Sequence, residues 1–301
     1  MASLRDIRRK IKSVKSTEQI TRAMKMVAAA RMRRSQSAIL SARPFAVKME
    51  ALISDLVAAH RSRQMDGETP EAVRGFFEAP ADGPAGLVLI TGDKGLCGAF
   101  NTVLLRAAAQ WLRGRPGRKS YVAVVGRKGR DFIRRLRGLD CEVVTELVGI
   151  FPKVGFHHAE VLGQAVLSAY FEKGLSGWDV ICQEFKSAAT QRLARTSLLP
   201  VAKFAPPPTG NGPRPIEFSY EPDCQQLLQA LLPRFIKAQL YRMLLESQAA
   251  ELSARMNAMD AASKNAAELR ETLNVAANRQ RQAMITKEIA ELVGGAEALA
   301  A

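Results

Sequence analysis

The chain has 301 residues, 47% of them hydrophobic but only 6% aromatic, so a sizeable core must be filled by Leu, Val, Ala and Met. Its 44 Lys+Arg against 29 Asp+Glu leave a formal charge of +15, which excludes an acidic disordered chain and predicts an anionic or acidic partner. No run of about 18 apolar residues spans a bilayer. The first residues lack the apolar stretch of a signal peptide. Cys97, Cys141, Cys182 and Cys224 show neither CxxC nor Cys/His zinc spacing, which reads as reduced thiols in a cytosolic compartment.

Charge is concentrated at the start. Residues 1–50 carry 13 Lys/Arg and 3 Asp/Glu, a net +10. In that segment Leu4, Ile7, Ile11 and Val14 recur at steps of 3, 4 and 3, and Ile20, Met24 and Val27 continue the stripe. So narrow a seam predicts a coiled-coil helix rather than the broad face of a globular one. Ser3 is placed to cap its start. Pro44 is expected to kink it, and Met49, Leu52, Ile53, Leu56 and Val57 resume the stripe. Asp66-Gly67 and Thr69-Pro70 end it. The basic run Arg5 to Lys15 reads either as a solvated face or as a surface for an acidic partner.

Almost all Gly and Pro lie between residues 67 and 222. Strands are predicted at Leu87-Val-Leu-Ile-Thr91, Tyr121-Val-Ala-Val-Val125, Cys141 to Leu147 and Asp179-Val-Ile-Cys-Gln-Glu-Phe185. Helical patterns at Phe100 to Leu112, Arg130 to Arg137 and 157–173 separate them. This alternation argues for a doubly wound α/β sheet. Ala205-Pro-Pro-Pro-Thr-Gly-Asn-Gly-Pro-Arg-Pro215 reads as an exposed loop.

Several motifs in this region invite a chemical reading. Gly92-Asp-Lys-Gly-Leu-Cys-Gly98 sits where a phosphate loop would, between a strand and a helix. A P-loop needs Gly-Lys-Ser/Thr, however, and a dinucleotide fingerprint needs GxGxxG, whereas Gly92 to Gly95 is one residue too wide. The stretch reads as a tight turn without a ligand, and Cys97 as a small buried residue. His60, His157 and His158 have no Ser, Cys or carboxylate at a recognisable spacing. His157-His158 reads as a surface pair, since a helical metal site wants a 3- or 4-residue step.

The last segment opens with Leu228, Leu231, Leu232, Phe235 and Ile236, and its stripe runs through Leu240, Leu244, Leu252, Met256, Met259, Leu269, Leu273 and Ile289. Pro233 falls in the first turns, and no Gly appears until Gly294-Gly295. About 60 to 70 uninterrupted helical residues span roughly 100 Å. Such a helix needs a partner along its length, and the N-terminal helix is the only candidate. The expected fold is therefore an antiparallel two-helix coiled coil from segments 1–66 and 223–301, with a doubly wound, Rossmann-like α/β domain inserted over 75–215. Met24, Met26, Met32, Met256 and Met259 are read as coiled-coil packing. Cutting at the Gly/Pro linkers is expected to release an α/β piece that folds alone.

These features describe a scaffold without an evident active site. A nucleic-acid binder would want aromatics or a reading motif among the basic residues, and residues 1–44 contain no Phe, Tyr or Trp. A nucleotide-dependent enzyme would want the missing phosphate signature.

Ser3-Leu-Arg-Asp-Ile-Arg-Arg-Lys-Ile-Lys-Ser-Val-Lys-Ser-Thr-Glu-Gln-Ile-Thr-Arg-Ala-Met-Lys-Met-Val-Ala-Ala-Ala-Arg31 closely resembles the N-terminal signature of the gamma subunit of F-type ATP synthases. Ser253-Ala-Arg-Met-Asn-Ala-Met259 and Asn278-Arg-Gln-Arg-Gln-Ala-Met-Ile-Thr-Lys-Glu-Ile289 resemble its C-terminal signature, while 92–101 and Gly126-Arg-Lys-Gly129 resemble its central markers. One departure is Val275-Ala-Ala-Asn278, where the family pattern has an aromatic before the Asn.

The resemblance implies a central stalk whose coiled coil enters the ring of alpha and beta subunits. Its lower end and α/β domain would sit with epsilon on the membrane c-ring. Such a shaft contributes no catalytic residue, cofactor or metal, contacts no nucleic acid and does not span the membrane. Rotation would move each beta site among open, loose and tight states, so the shaft acts as a ligand with different affinity for different beta conformations. The basic N-terminal segment would then face acidic loops on beta. By matching position, Arg281 and Gln282 are expected to meet an acidic catch loop on beta, with Thr286 and Glu288 about a turn further on. Met24 would face that region from the N-terminal helix, and Arg255 matches the family's Arg-Met element. The motif's start at residue 3 and the absence of closely paired cysteines imply a bacterial peripheral protein on the cytoplasmic face of the inner membrane. The coupling ion is chosen in the membrane ring of such a complex.

Overall fold

The computed structural model describes residues 3–63, 71–80, 82–115, 117–136, 138, 140–201 and 223–300. Two long helices, α1 (Leu4–Arg63) and α6 (Cys224–Ala300), enclose in sequence α2 (Glu71–Phe77), β1 (Ala85–Ile90), α3 (Phe100–Arg113), β2 (Ser120–Val125), α4 (Arg127–Arg135), β3 (Cys141–Leu147), α5 (Phe156–Glu172), β4 (Gly177–Phe185) and β5 (Gln191–Leu199). Pro44 and Pro233 lie inside helices that run on past them. Packing divides the chain into two units, Met1–Ala29 with Arg255–Ala301, and Ala30–Ala254. The turn expected at 66–70 and the loop expected at 205–215 lie outside the described residues.

In the first unit α1 starts where its cap predicts. The Asp6 N–H donates to Ser3 Oγ at 3.2 Å, and Ser3 N–H donates back to Asp6 Oδ2 at 3.3 Å. Two otherwise orphaned donors are thereby satisfied. The shielded seam of α1 runs Leu4, Ile7, Ile11, Val14, Glu18, Thr21, Lys25, Ala28, in alternating steps of 3 and 4. It leaves the predicted stripe after Val14, since Ile20 is 57% exposed and Val27 50%. Facing it, α6 shields Met259, Ser263, Ala266, Arg270, Leu273, Ala277 and Gln280, while Leu269 and Ile289 are exposed. Small and polar residues at seam positions let the helices approach, and they hide the heptad from an apolar count.

Charge pairs set the direction of this seam. Lys25 Nζ meets Asp260 Oδ1 at 2.6 Å, and Arg270 Nε meets Glu18 Oε2 at 3.4 Å. Numbers rise on α1 as they fall on α6, so the pairing is antiparallel. The hydrogen bond from Lys25 holds the Asp260 carboxyl below its usual range. The Glu18 Oε2 atom is buried without a well-formed hydrogen bond, and the Arg270 guanidinium offsets its charge. Directional pairs of this kind select register more than they add stability.

In the second unit the sheet has order β3-β2-β1-β4-β5. Four strands are parallel, and β5 pairs antiparallel with β4. Chain order reverses between β1 and β4, so α3 and α4 cover one face and α5 the other. Val122, Val124, Leu87 and Leu89 pack with Leu104, Trp111 and Ile133 on the first face. Val88, Ile90, Ala123 and Val180 pack with Leu162, Val166 and Tyr170 on the second. Strands β1 and β2 are buried throughout, which is why they read as unbroken apolar runs.

The second face continues into the long helices. Ile53, Leu56 and Val57 of α1, and Leu228, Leu232, Phe235, Ile236, Leu240 and Leu244 of α6, belong to the same core as the sheet. Leu52, expected in the stripe, is instead 42% exposed. Helix α2 and strand β5 had no clear signal. Strand β5 carries Arg192 and Arg195 on an exposed edge, where charge blunts unwanted pairing.

Candidate functional site: the exposed end of the long helix

From Arg281 to Gly295 every side chain of α6 is exposed. Continuing the register of the two ion pairs, the start of α1 lies level with about residue 284 of α6. The last turns of α6 therefore continue without α1 beside them. Met284, Ile285, Ile289, Leu292 and Val293 are 43–74% exposed there. A contiguous apolar helix face left in water marks a surface made for a partner.

Four expected site residues lie on this segment. Arg281 and Glu288, two turns apart, share one face of α6, and Gln282 and Thr286 share the next. Thr286 Oγ1 donates to the Gln282 carbonyl at 2.9 Å, so its hydroxyl is held against the helix. Met24 and Arg255 lie elsewhere. Met24 is half-buried beside Lys25, which reaches Asp260, and that level is 21 residues, or about 30 Å, from Arg281. By this register Met24 lies at the level of the Lys25–Asp260 pair and not beside residues 281–288, while Arg255 lies further along α6, half-buried and already engaged.

The glycine turn after β1 has its own chemistry. Thr91 Oγ1 donates to the Val125 carbonyl at 2.9 Å and accepts the Gly129 N–H at 2.8 Å. Gly126 has φ +90, and a Cβ there would stand 2.1 Å from the Thr91 carbonyl oxygen. Glycine is required at that position on both counts. Asn101 Oδ1 accepts the Gly92 N–H at 2.9 Å, and Asn101 Nδ2 donates to the Lys94 carbonyl at 3.3 Å. The Asp93 carboxylate accepts backbone N–H groups from Arg127, Gly149 and Phe151. Glu251 of α6 closes over Gly92, with Oε1 2.8 Å from where a Cβ would be. The chain's own side chains thus take the donors and the space that a phosphate would use. Asp93, Gln248 and the interhelical ion pairs escaped sequence reasoning because lone polar residues carry no periodic signal.

The remaining candidates are structural. Cys97 and Cys182 are buried, and burial, with Glu246 nearby, pushes the Cys182 thiol up to about 12, so it stays protonated and inert. Of the methionines, Met32 and Met259 are buried, but Met26 is 61% exposed rather than packed. Among the described residues no three His, Cys, Asp or Glu side chains group as a metal site, and no helix is long and apolar enough to cross a membrane.

One of the two histidines, His158, caps a helix. His158 Nδ1 accepts the Gly155 N–H at 3.0 Å at the start of α5, and its ring centroid lies 3.8 Å from that of His157. Burial, then the neighbouring His157, lowers the His158 pKa from 6.5. The unfolded chain therefore takes up the proton more readily. The capping contribution is complete above 6.5 and is lost as pH falls through the lowered folded value. A protonated Nδ1 cannot accept, so acidification should remove a cap worth about 1 kcal/mol. Urea unfolding of wild type and His158→Gln at about pH 7.5 and about pH 5 checks this. The glutamine keeps an acceptor at both values and should flatten the difference.

One unit is an antiparallel pair of end helices with α6 running on alone, the other a doubly wound α/β sheet, and together they define the class: a two-helix coiled coil with an inserted α/β domain. The family model described as ATP synthase matches residues 3–299. The ATP synthase gamma chain of Elusimicrobium minutum is 44% identical over 302 residues, covering 99% of both chains. That of Desulforamulus reducens is 41% identical over 299 residues, covering 99% of this chain and 100% of its own. Among solved structures, a chain of the Tetrahymena thermophila mitochondrial ATP synthase central stalk and c-ring is similar, with TM-score 0.59, 26% identity and coverage of 81% of this chain and 99% of that one. A chain of the Euglena gracilis mitochondrial ATP synthase shares the fold, with TM-score 0.66, 19% identity and coverage of 98% and 94%. The chain belongs to the ATP synthase gamma-chain family.

Proposed function

We propose that the chain is the central rotary shaft of an F-type ATP synthase, coupling rotation of a membrane c-ring to conformational cycling of the catalytic beta subunits. The observation that carries this reading, beside family membership, is the lone end of α6, exposed on every side from 281 to 295. A shaft that turns within a ring needs a surface presented all round, not a pocket. In this reading segments 1–66 and 223–301 form the shaft, and 75–215 the domain that sits with epsilon on the c-ring. Arg281 and Gln282 meet an acidic loop on beta, with Thr286 and Glu288 beside them. Met24, at the level of the Lys25–Asp260 pair about 30 Å away, and Arg255, a further turn or more along α6, are further contacts. The chain contributes no catalytic group, and it works peripherally on the cytoplasmic face of a bacterial inner membrane.

Co-expression with the alpha and beta subunits tests the reading. The chain should co-purify with both, and ATP hydrolysis should be faster with it than with alpha and beta alone. Failure to associate, or hydrolysis indifferent to the chain, would sink it.

A further inference from the structure

We propose that Asp93 is a built-in anion: its carboxylate fills a cradle of converging backbone N–H groups, and removing it uncovers a site for a small oxyanion. Backbone N–H groups that converge from a helix start and neighbouring loops cradle an anion wherever they meet. Here such groups converge on one side chain of the chain itself. Asp93, three residues past β1, accepts the Arg127 N–H at 3.0 Å and the Gly149 N–H at 2.9 Å on Oδ1, and the Phe151 N–H at 3.3 Å on Oδ2. The donors come from the segments that follow β2 and β3.

Each donor has a reason to point inward. Arg127 is the first residue of α4, whose N–H would otherwise be orphaned and whose dipole favours a negative charge. Gly149 has φ +82, a conformation that suits glycine and turns its N–H toward Asp93. Asp93 is only 9% exposed, and every hydrogen bond it makes among the described residues is to backbone. A carboxylate is acceptor-only, so this pocket of donors matches its charged form.

The same loop is gripped from its other side. Gln248 of α6 donates to the Pro152 carbonyl at 2.7 Å and to Ser35 Oγ of α1 at 2.9 Å, and it accepts the Val154 N–H at 3.4 Å. Residues 149–154 are therefore tied to β1 through Asp93, and to α6 and α1 through Gln248. Apolar packing alone is non-directional. These bonds give the carboxyl edge of the sheet a single seating on the helices of its unit, and the internal anion is one of its two anchors.

The test uses the full-length chain. Asp93→Ala should melt below wild type. Sodium formate, titrated against sodium chloride at equal ionic strength, should raise the midpoint of Asp93→Ala saturably and leave wild type unmoved. Inorganic phosphate, run in parallel, reports whether the vacated space admits a larger oxyanion or formate only. Amide exchange at Arg127, Gly149 and Phe151 should accelerate by about tenfold or more in the variant, and formate should slow it again. Should Asp93→Ala fail to fold, Asp93→Asn keeps the shape without the charge and carries the same exchange measurement. A melting response to formate equal to that of wild type, or wild-type protection of the three amides, would overturn the assignment.

Discussion

Replacing Arg281 with alanine should lower turnover of the assembled complex by about tenfold to a hundredfold, with nucleotide binding to isolated beta subunits unchanged. Arg281 is exposed on the lone end of α6, so its removal costs the free chain almost nothing. In the proposed complex its guanidinium meets a carboxylate on beta at one rotary position only. A charge-assisted contact that forms in one state and not in the others shifts their equilibrium by about that factor. Arg281→Lys should recover part of the loss, because an ammonium keeps the charge but not the two-bond fork. Steady-state ATP hydrolysis by complexes of verified composition checks both variants. Wild-type turnover in both would make Arg281 an ordinary solvated charge.

The second large effect concerns what folds. A fragment of residues 75–215 should fail to fold by itself, whereas 30–254 should fold cooperatively. The short fragment lacks Leu228, Leu232, Phe235, Ile236, Leu240 and Leu244, all buried in the core that covers one face of the sheet. At about 1.5–3 kcal/mol for each large side chain, their loss removes about 10 kcal/mol or more. That is comparable with the whole stability of a typical domain, about 5–15 kcal/mol. It also lacks Ser35 and Gln248, so the loop that Asp93 holds loses its second anchor. Circular dichroism and urea unfolding of the two fragments decide the matter. A cooperative transition in 75–215 would mean that the sheet's own helices suffice. The expectation of an autonomous insert rested on linker composition, which locates exposed chain but says nothing about which helix covers a sheet face.

Legibility differed between elements for identifiable reasons. Strands β1 and β2 were readable because burial on both faces demands unbroken apolar runs. Strand β5 was not, because an exposed edge tolerates Arg192 and Arg195 and so loses the pattern. The start of α1 was readable from Ser3, since a cap is a local bond between near neighbours. Its seam was readable only to Val14. Beyond that point Glu18, Thr21 and Lys25 take the shielded positions, and their fitness depends on Arg270 and Asp260 far along the chain. The same holds at the candidate surface. The segment 281–288 was marked by its motif, but the 30 Å between it and Met24 follows from the register of the helix pair, which the apolar stripe did not specify.

By itself the sequence determined what depends on neighbours along the chain: two long helices from composition and 3-4 spacing, an alternating α/β insert, and a basic beginning that seeks acidic partners. Family membership was also legible, because its motifs are contiguous. Only the tertiary structure decided which polar residues were spoken for. The identity of Asp93 says nothing of the three N–H groups it accepts, since they come 34, 56 and 58 positions later. A hydrogen bond between distant segments depends on how the chain has packed, and packing is a property of all the elements together.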